Sequence, residues 1–294
     1  MQDLTDKVAV ITGAGGGFGR EFARLAAGHG MRLVLADVQR DALDEIVNEL
    51  RESGVRVIGE VVDVAISRQV EHLAQRAYGE FGAVNLLMNN AGVGCGGYLW
   101  ENTDSDWKWV LGVNLMGVVH GIQHFLPRML AAEAIGESGH VVNTASMAGW
   151  LSPPLMGVYN VSKHAVVTLT ETLYHDLRLA QSALGVTVLC PAFVPTGIAQ
   201  SHRNRPAEVG EVGRTLSKQM AQANLEKAVS SGRISAADVA VMTFDAIRAN
   251  RFYVFTHPQI LPGVQARITA ALGGEPPADP FATRPQARPT PPTE

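Results

Sequence analysis

Residues 7–19 read KVAVITGAGGGFG, and this stretch decides the fold. Its first six residues form a short β-branched apolar run, the pattern of a buried strand. Gly13, Gly17 and Gly19 follow, and residues 18–30, FGREFARLAAGHG, carry apolar side chains at helical spacing up to a closing Gly30. Glycines between a strand and a helix let the chain turn tightly and let a phosphate approach the backbone at the helix N-terminus. The loop is not a P-loop, since no Gly-Lys-Ser/Thr follows. Nor is it strict GxGxxG, because Phe18 stands at the last glycine position; it reads TGxxxGxG.

Outward from this loop, short apolar runs alternate with helical patterns. Residues 31–37, 55–64, 84–92, 139–146, 185–194 and 251–256 read as strands, and residues 39–54, 68–82, 103–132, 159–180 and 235–250 as helices. Such alternation with short connections predicts an α/β fold, a single-domain doubly wound parallel sheet with helices on both faces, over residues 1–265. Its ligand crevice lies at the carboxyl ends of the strands. Residues 197–232 are too long for a plain connection and read as a substrate loop or lid, with a surface excursion as the plainer alternative. Residues 273–294, GGEPPADPFATRPQARPTPPTE, are proline-rich and read as a mobile tail or an arm laid on a neighbouring subunit.

The chain has 294 residues, 46% hydrophobic and 18% charged, with a net charge of −4. That suits a globular enzyme-sized core and gives no basic field for nucleic acid or an anionic membrane. Cys95 and Cys190 form no CxxC, which points away from a disulfide framework and toward a reducing, cytoplasmic home. The N-terminus lacks a signal-peptide layout, and no apolar run reaches the length of a membrane span. His120 and His124 stand four apart on a helix, but no third ligand follows by spacing; a packed histidine pair is favoured and no metal is expected.

Asp37 ends the second strand, where a carboxylate can reach an adenosine ribose 2′-hydroxyl and repel a 2′-phosphate. Arg40 is the nearby cation that would counter it, so NAD is expected over NADP. Tyr159 and Lys163, in YNVSK, project from one helix face with an ammonium beside a phenol. A close positive charge favours the phenolate, which makes a phenol of ordinary pKa near 10 a usable base. Ser146 ends the fifth strand at the same sheet edge, where its hydroxyl can hold a substrate oxygen.

Over about Lys7 to Thr256 the chain resembles the short-chain dehydrogenase/reductase family. The residues that carry the resemblance are TGAGGGFG, Asp63 and Val64, NNAG at Asn89–Gly92, Asn114 in GVNLMG, Ser146 and YNVSK. The resemblance implies a Rossmann-like fold and a tetrad of Asn114, Ser146, Tyr159 and Lys163. Tyr159 would be the general acid/base, Ser146 would polarise the substrate oxygen, and Lys163 would lower the Tyr159 pKa and bind the nicotinamide ribose. Asn114 would hold a water in the proton relay. Cofactor contacts are expected from Gly13, Gly17, Phe18, Gly19, Asp37, Asp63, Val64, Asn90, Ala91 and Gly92. Tyr159, Lys163, Pro191, Val194 and Thr196 complete that set. One departure is PAFVPT, with Ala192 where the family often has glycine, which leaves the local backbone path open. A homotetramer or homodimer is also implied.

The expected activity is NAD-dependent interconversion of a secondary alcohol and a ketone. The alternatives are an epimerase or dehydratase of the same family and a non-catalytic NAD-binding regulator. For the substrate, an apolar wall of Trp150, Leu151, Leu155, Met156 and Phe193, and small residues in VGCGG at 93–97, predict a roomy pocket for an aryl, alicyclic or steroid-like alcohol. Against that stand Arg203, Arg205 and Arg214, which would favour an anionic substrate if they folded inward.

Overall fold

A computed structural model describes residues 1–207 and 215–280. Strands β1 (Val8–Thr12), β2 (Arg32–Asp37), β3 (Val57–Val61), β4 (Leu86–Asn89), β5 (His140–Thr144), β6 (Gly185–Cys190) and β7 (Tyr253–Phe255) form one sheet in the order β3-β2-β1-β4-β5-β6-β7. All neighbours are parallel. The chain therefore winds outward from β1 in one direction, then returns to add β4 on the other side. The switch point lies between β1 and β4, and the glycine loop and NNAG meet there.

Alternation along each strand sends side chains to opposite faces, and both faces are covered. On one, Ile11, Leu33 and Leu86 pack with Phe22 of α1 (Gly17–Gly28) and Phe244 of α8 (Ala236–Arg248). On the other, Val10, Val34 and Leu87 pack with Leu73 of α3 (Ser67–Phe81) and Phe125 of α5 (Gly117–Glu133). Phe22, Phe125 and Phe244 are fully buried, each contributing roughly 1.5–3 kcal/mol of apolar transfer energy. Helix α2 (Arg40–Glu52) and helix α6 (Gly157–Leu179) complete the two layers.

The helix expected over 103–132 is interrupted. Helix α4 (Asp104–Leu111) opens on a Thr103/Asp106 capping box and passes through a π-turn at Gly112–Met116 into α5. This run, Asp104–Glu133, is the one helix among the described residues long and apolar enough to cross a membrane, which the sequence reading did not anticipate. Half of its most apolar window is taken up by the protein's own core. Residues 197–232 hold a 3₁₀ segment, Gly197–Asn204, and α7 (Leu216–Ser230); Arg214 lies outside the described residues. Helix α9 (Leu261–Leu272) runs past the expected boundary at 265. Val264 is its one buried residue, so α9 presents no broad apolar stripe to the core. Of the proline-rich stretch, residues 281–294 lie outside the described residues.

Candidate active site

The floor is the glycine loop. Gly13 and Gly17 have φ of 65° and 51°, in the region that favours glycine. A Cβ at Gly13 would stand 2.9 Å from the Ala91 Cα, and one at Gly19 would overlap the Gly13 carbonyl. The loop thus presents bare backbone at the start of α1, a cradle that fits a diphosphate. Thr12 ties it to β4: its hydroxyl accepts from the Asn90 and Ala91 N–H groups at 3.0 and 3.1 Å, and Asn90 Nδ2 donates to the Thr12 carbonyl at 3.0 Å.

Asp37 is buried, with Oδ2 accepting from Gly15 N–H at 2.8 Å and Oδ1 from Gln39 N–H at 2.9 Å. Its carboxylate is thereby fixed at the edge of the loop. Asp63 Oδ1 accepts from Ala65 N–H at 2.9 Å, and the Val64 carbonyl lies 2.8 Å from His120 Nδ1. His124 Nε2 is 2.9 Å from Ser67 Oγ. The two histidines therefore hold the loop after β3 against α5. Among the described residues no group of three His, Cys, Asp or Glu side chains is placed to hold a metal.

A cavity of about 1540 Å³ runs from this loop across the ends of the strands. Each proposed cofactor contact except Gly19, which lies beneath the loop, lines it; so do Ser146, Tyr159 and Lys163. Ser146 follows β5, accepts from Ala148 N–H at 3.1 Å and donates to the Pro191 carbonyl at 3.3 Å. Lys163 is buried one helical turn after Tyr159, its Nζ 5.7 Å from the Tyr159 ring centre and donating to the Thr144 carbonyl at 2.8 Å. Burial pushes the Lys163 pKa down to about 8. Burial also raises the Tyr159 phenol above its ordinary value, with the Ser146 hydroxyl pulling the other way. Both groups line one cavity, and burial opposes the charged form of each.

Asn114 sits in the π-turn, fully buried behind Gly92. Its Oδ1 accepts from Val93 N–H at 2.8 Å, while Nδ2 donates to the Val93 carbonyl and to Ser162 Oγ, both at 3.0 Å. The amide's donors and its oxygen are all engaged by the protein. Gly92 lies against both groups: a Cβ on it would stand 3.5 Å from Asn114 Oδ1 and from Lys163 Nζ. Ala192 does not have positive φ, so PAFVPT needs no glycine there.

The substrate side departs from the sequence reading. Leu151, Met156 and Phe193 line the cavity, but Trp150 and Leu155 do not. Trp150 turns away, donating Nε1–H to Cys190 Sγ at 3.4 Å and meeting Tyr253 and Phe255 edge-on. Leu155 is buried against α7 in the cluster with Met220 and Ala221. Of VGCGG, residues 93–96 line the cavity, but two of its glycines are closely packed. A Cβ at Gly96 would overlap Ala221, and one at Gly97 would lie 2.7 Å from Lys218 Cγ. Those glycines are small because α7 packs onto them.

Helix α7 is also fastened by charge. Asp106 accepts from Arg205 Nη1 at 2.7 Å and from Lys218 Nζ at 2.8 Å, with all three side chains buried. Burial alone would raise the Asp106 carboxyl, but Lys218, the Thr103 N–H and Arg205 outweigh it and hold the pKa low. Arg205 and Lys218 line the cavity, and the Arg205 guanidinium lies 5.2 Å from the Trp109 ring centre. Asp106 and Lys218 escaped the sequence reading. The capping pattern Thr-x-x-Asp was the available signal for the first, and it speaks only of a helix start.

A glycine cradle, a carboxylate fixed at its edge and a Ser-Tyr-Lys cluster share one cleft of a doubly wound sheet. The family model described as short chain dehydrogenase matches residues 7–207. The chain belongs to the short-chain dehydrogenase/reductase family. It is 32% identical to a CLA biosynthesis dehydrogenase/reductase of Lactiplantibacillus plantarum, over 91% of this chain and 94% of that protein. It is 31% identical to a C alpha-dehydrogenase of a Sphingobium species, over 97% and 92%. Among solved structures, a family member from Burkholderia phymatum in complex with NAD is 54% identical, with TM-score 0.93, covering 96% of this chain and 100% of that one.

Proposed function

We propose that this protein is an NAD-dependent dehydrogenase/reductase that interconverts a bulky secondary alcohol and its ketone. The observation that carries the reading is the Ser146, Tyr159 and Lys163 cluster opening onto the same cavity as the glycine cradle. Preference for NAD over NADP is supported by the Asp37 carboxylate, held at the end of β2 by the Gly15 and Gln39 N–H groups, whose charge would repel a 2′-phosphate brought beside it. The 54%-identical relative bound to NAD supports this choice.

The bound nicotinamide supplies the hydride acceptor in oxidation and the hydride donor in reduction. In oxidation, Tyr159 Oη accepts the proton from the alcohol oxygen while the hydride leaves the carbinol carbon. Ser146 Oγ–H donates to the same oxygen and holds it in line. Lys163 would hold the nicotinamide ribose with its ammonium and pass the Tyr159 proton outward. Asn114, buried behind Gly92 in the π-turn, would hold a water that carries the relay onward. Leu151, Met156 and Phe193 would take the substrate body, and Arg205 and Lys218 also line the cavity.

The test is a panel of secondary alcohols and ketones of graded size, followed by reduced-cofactor absorbance with NAD and NADP. Turnover of bulky aryl or alicyclic substrates with NAD is expected. A clear preference for short hydroxy acids would overturn the substrate class and direct attention to Arg205 and Lys218.

A further inference from the structure

Segment Gly197–Asn204 follows β6 after the connection 191–196 and lines the cavity beside the glycine loop. Its inner side is pinned by Ser201, whose Oγ accepts from Gly94 N–H at 2.8 Å. On its other side Arg203 reaches back across the groove. Arg203 Nε donates to Gln39 Oε1 at 3.1 Å, and Nη1 donates to the Gly197 and Gln200 carbonyls at 3.1 and 3.0 Å. Gln39 is two residues past Asp37 and gives that carboxylate its own N–H. The guanidinium is thereby held over the groove by three bonds, and its Nη2 makes none among the described residues.

Its position relative to the glycine loop follows from two close approaches. A Cβ on Gly17 would lie 3.3 Å from Thr196 Cβ, so the start of α1 touches the entry to this segment. A Cβ on the next residue, Gly197, would lie 3.0 Å from Arg203 Nη2. The open limb of the guanidinium thus stands beside the residue that follows the loop's neighbour. Gly16, Gly17, Gln39, Thr196 and Arg203 line one stretch of the cavity. Backbone amides form the floor there and a cation the roof.

We propose that Arg203 is a cofactor-positioning residue, clamping the diphosphate of the bound dinucleotide from above and so fastening the 197–204 segment over the cofactor. This rests on the nicotinamide-cofactor reading above. A planar guanidinium with a free limb matches two phosphoryl oxygens, and the backbone cradle leaves the outer face of a diphosphate without a counter-charge. Gln39 holds the fork in the groove before the ligand arrives, which reduces the ordering cost of binding.

The experiment is a binding titration, without substrate, of NADH by fluorescence and of ADP and adenosine by calorimetry. It uses the full chain in wild-type, Arg203→Gln and Arg203→Lys forms. Arg203 is exposed, so the variants are expected to fold, which far-ultraviolet circular dichroism checks. The clamp predicts that Arg203→Gln weakens NADH and ADP about tenfold, that Arg203→Lys weakens them less, and that adenosine is unaffected. The wild-type affinity for ADP should fall with added salt more steeply than that of the Gln variant. Equal affinity of wild type and Arg203→Gln for NADH and ADP overturns the clamp and reduces Arg203 to a tether on Gln39. Loss confined to NADPH, titrated by fluorescence in the same way, with NADH unchanged, overturns the diphosphate assignment in favour of a 2′-phosphate contact. Absence of NADH binding in the wild type overturns the cofactor reading itself and the clamp with it.

Discussion

At the scale of single residues, the proposed chemistry rests on one oxygen. Tyr159→Phe keeps the ring and its packing while deleting the group that moves a proton, so turnover should fall by roughly 10²-fold or more with NADH binding retained. Retention of near-normal turnover would reassign the acid/base. Asp37→Ala tests cofactor choice: the wild type should favour NAD over NADP by at least about tenfold in kcat/KM, and the variant should narrow that ratio. Most of these residues were legible in the sequence because their partners are local. Tyr159 and Lys163 share a helix face, and the glycines of the loop lie within seven residues. The Asp106, Arg205 and Lys218 cluster was not legible, since Asp106 meets partners 99 and 112 residues away. Trp150 misled for a related reason. Its neighbours in sequence edge the cavity, but Cys190 and β7 offer its indole a better-packed site on the other side.

At the scale of elements, two buried features carry testable energetics. Asp106 joins α4 to α7, and Asp106→Asn removes the charge that balances two buried cations. A destabilisation of about 3–5 kcal/mol is expected in urea unfolding, as for other buried pairs broken on one side. In strand β5, His140 is fully buried, with Nε2 2.8 Å from Thr187 Oγ1 and Nδ1 unpaired. Burial pushes its pKa down to about 3. Because the folded value is depressed, the unfolded chain binds the extra proton first. The stabilisation from keeping His140 neutral is therefore complete above about pH 6.5 and is lost as pH falls toward 3. The midpoint of thermal unfolding should drop over that window, and His140→Gln should flatten the drop. An unchanged slope in the variant would assign the acid sensitivity elsewhere. The sheet was legible at this scale because short continuous apolar runs recur between helical patterns, as a parallel sheet covered on both faces requires. The π-turn that seats Asn114 was not, since widening a helix by one residue leaves no mark in apolar spacing.

At the scale of the whole molecule, the family resemblance carries an expectation of a homotetramer or homodimer. Sedimentation at micromolar concentration should show no dominant monomer, and a single monomeric species would overturn that expectation. The strand order has a further consequence for synthesis. The cradle and Asp37 belong to the first three strands made, yet Thr12 is completed by Asn90 and Ala91, and Lys163 by the carbonyl of Thr144. The pocket is closed by elements that leave the ribosome after the sheet has reversed direction around β1. A growing polypeptide stopped before residue 84 holds half a cofactor seat whose inner edge is a bare strand open to unwanted pairing. Its nucleotide affinity should arise late and abruptly during translation, when β4 and β5 dock, and not in proportion to length.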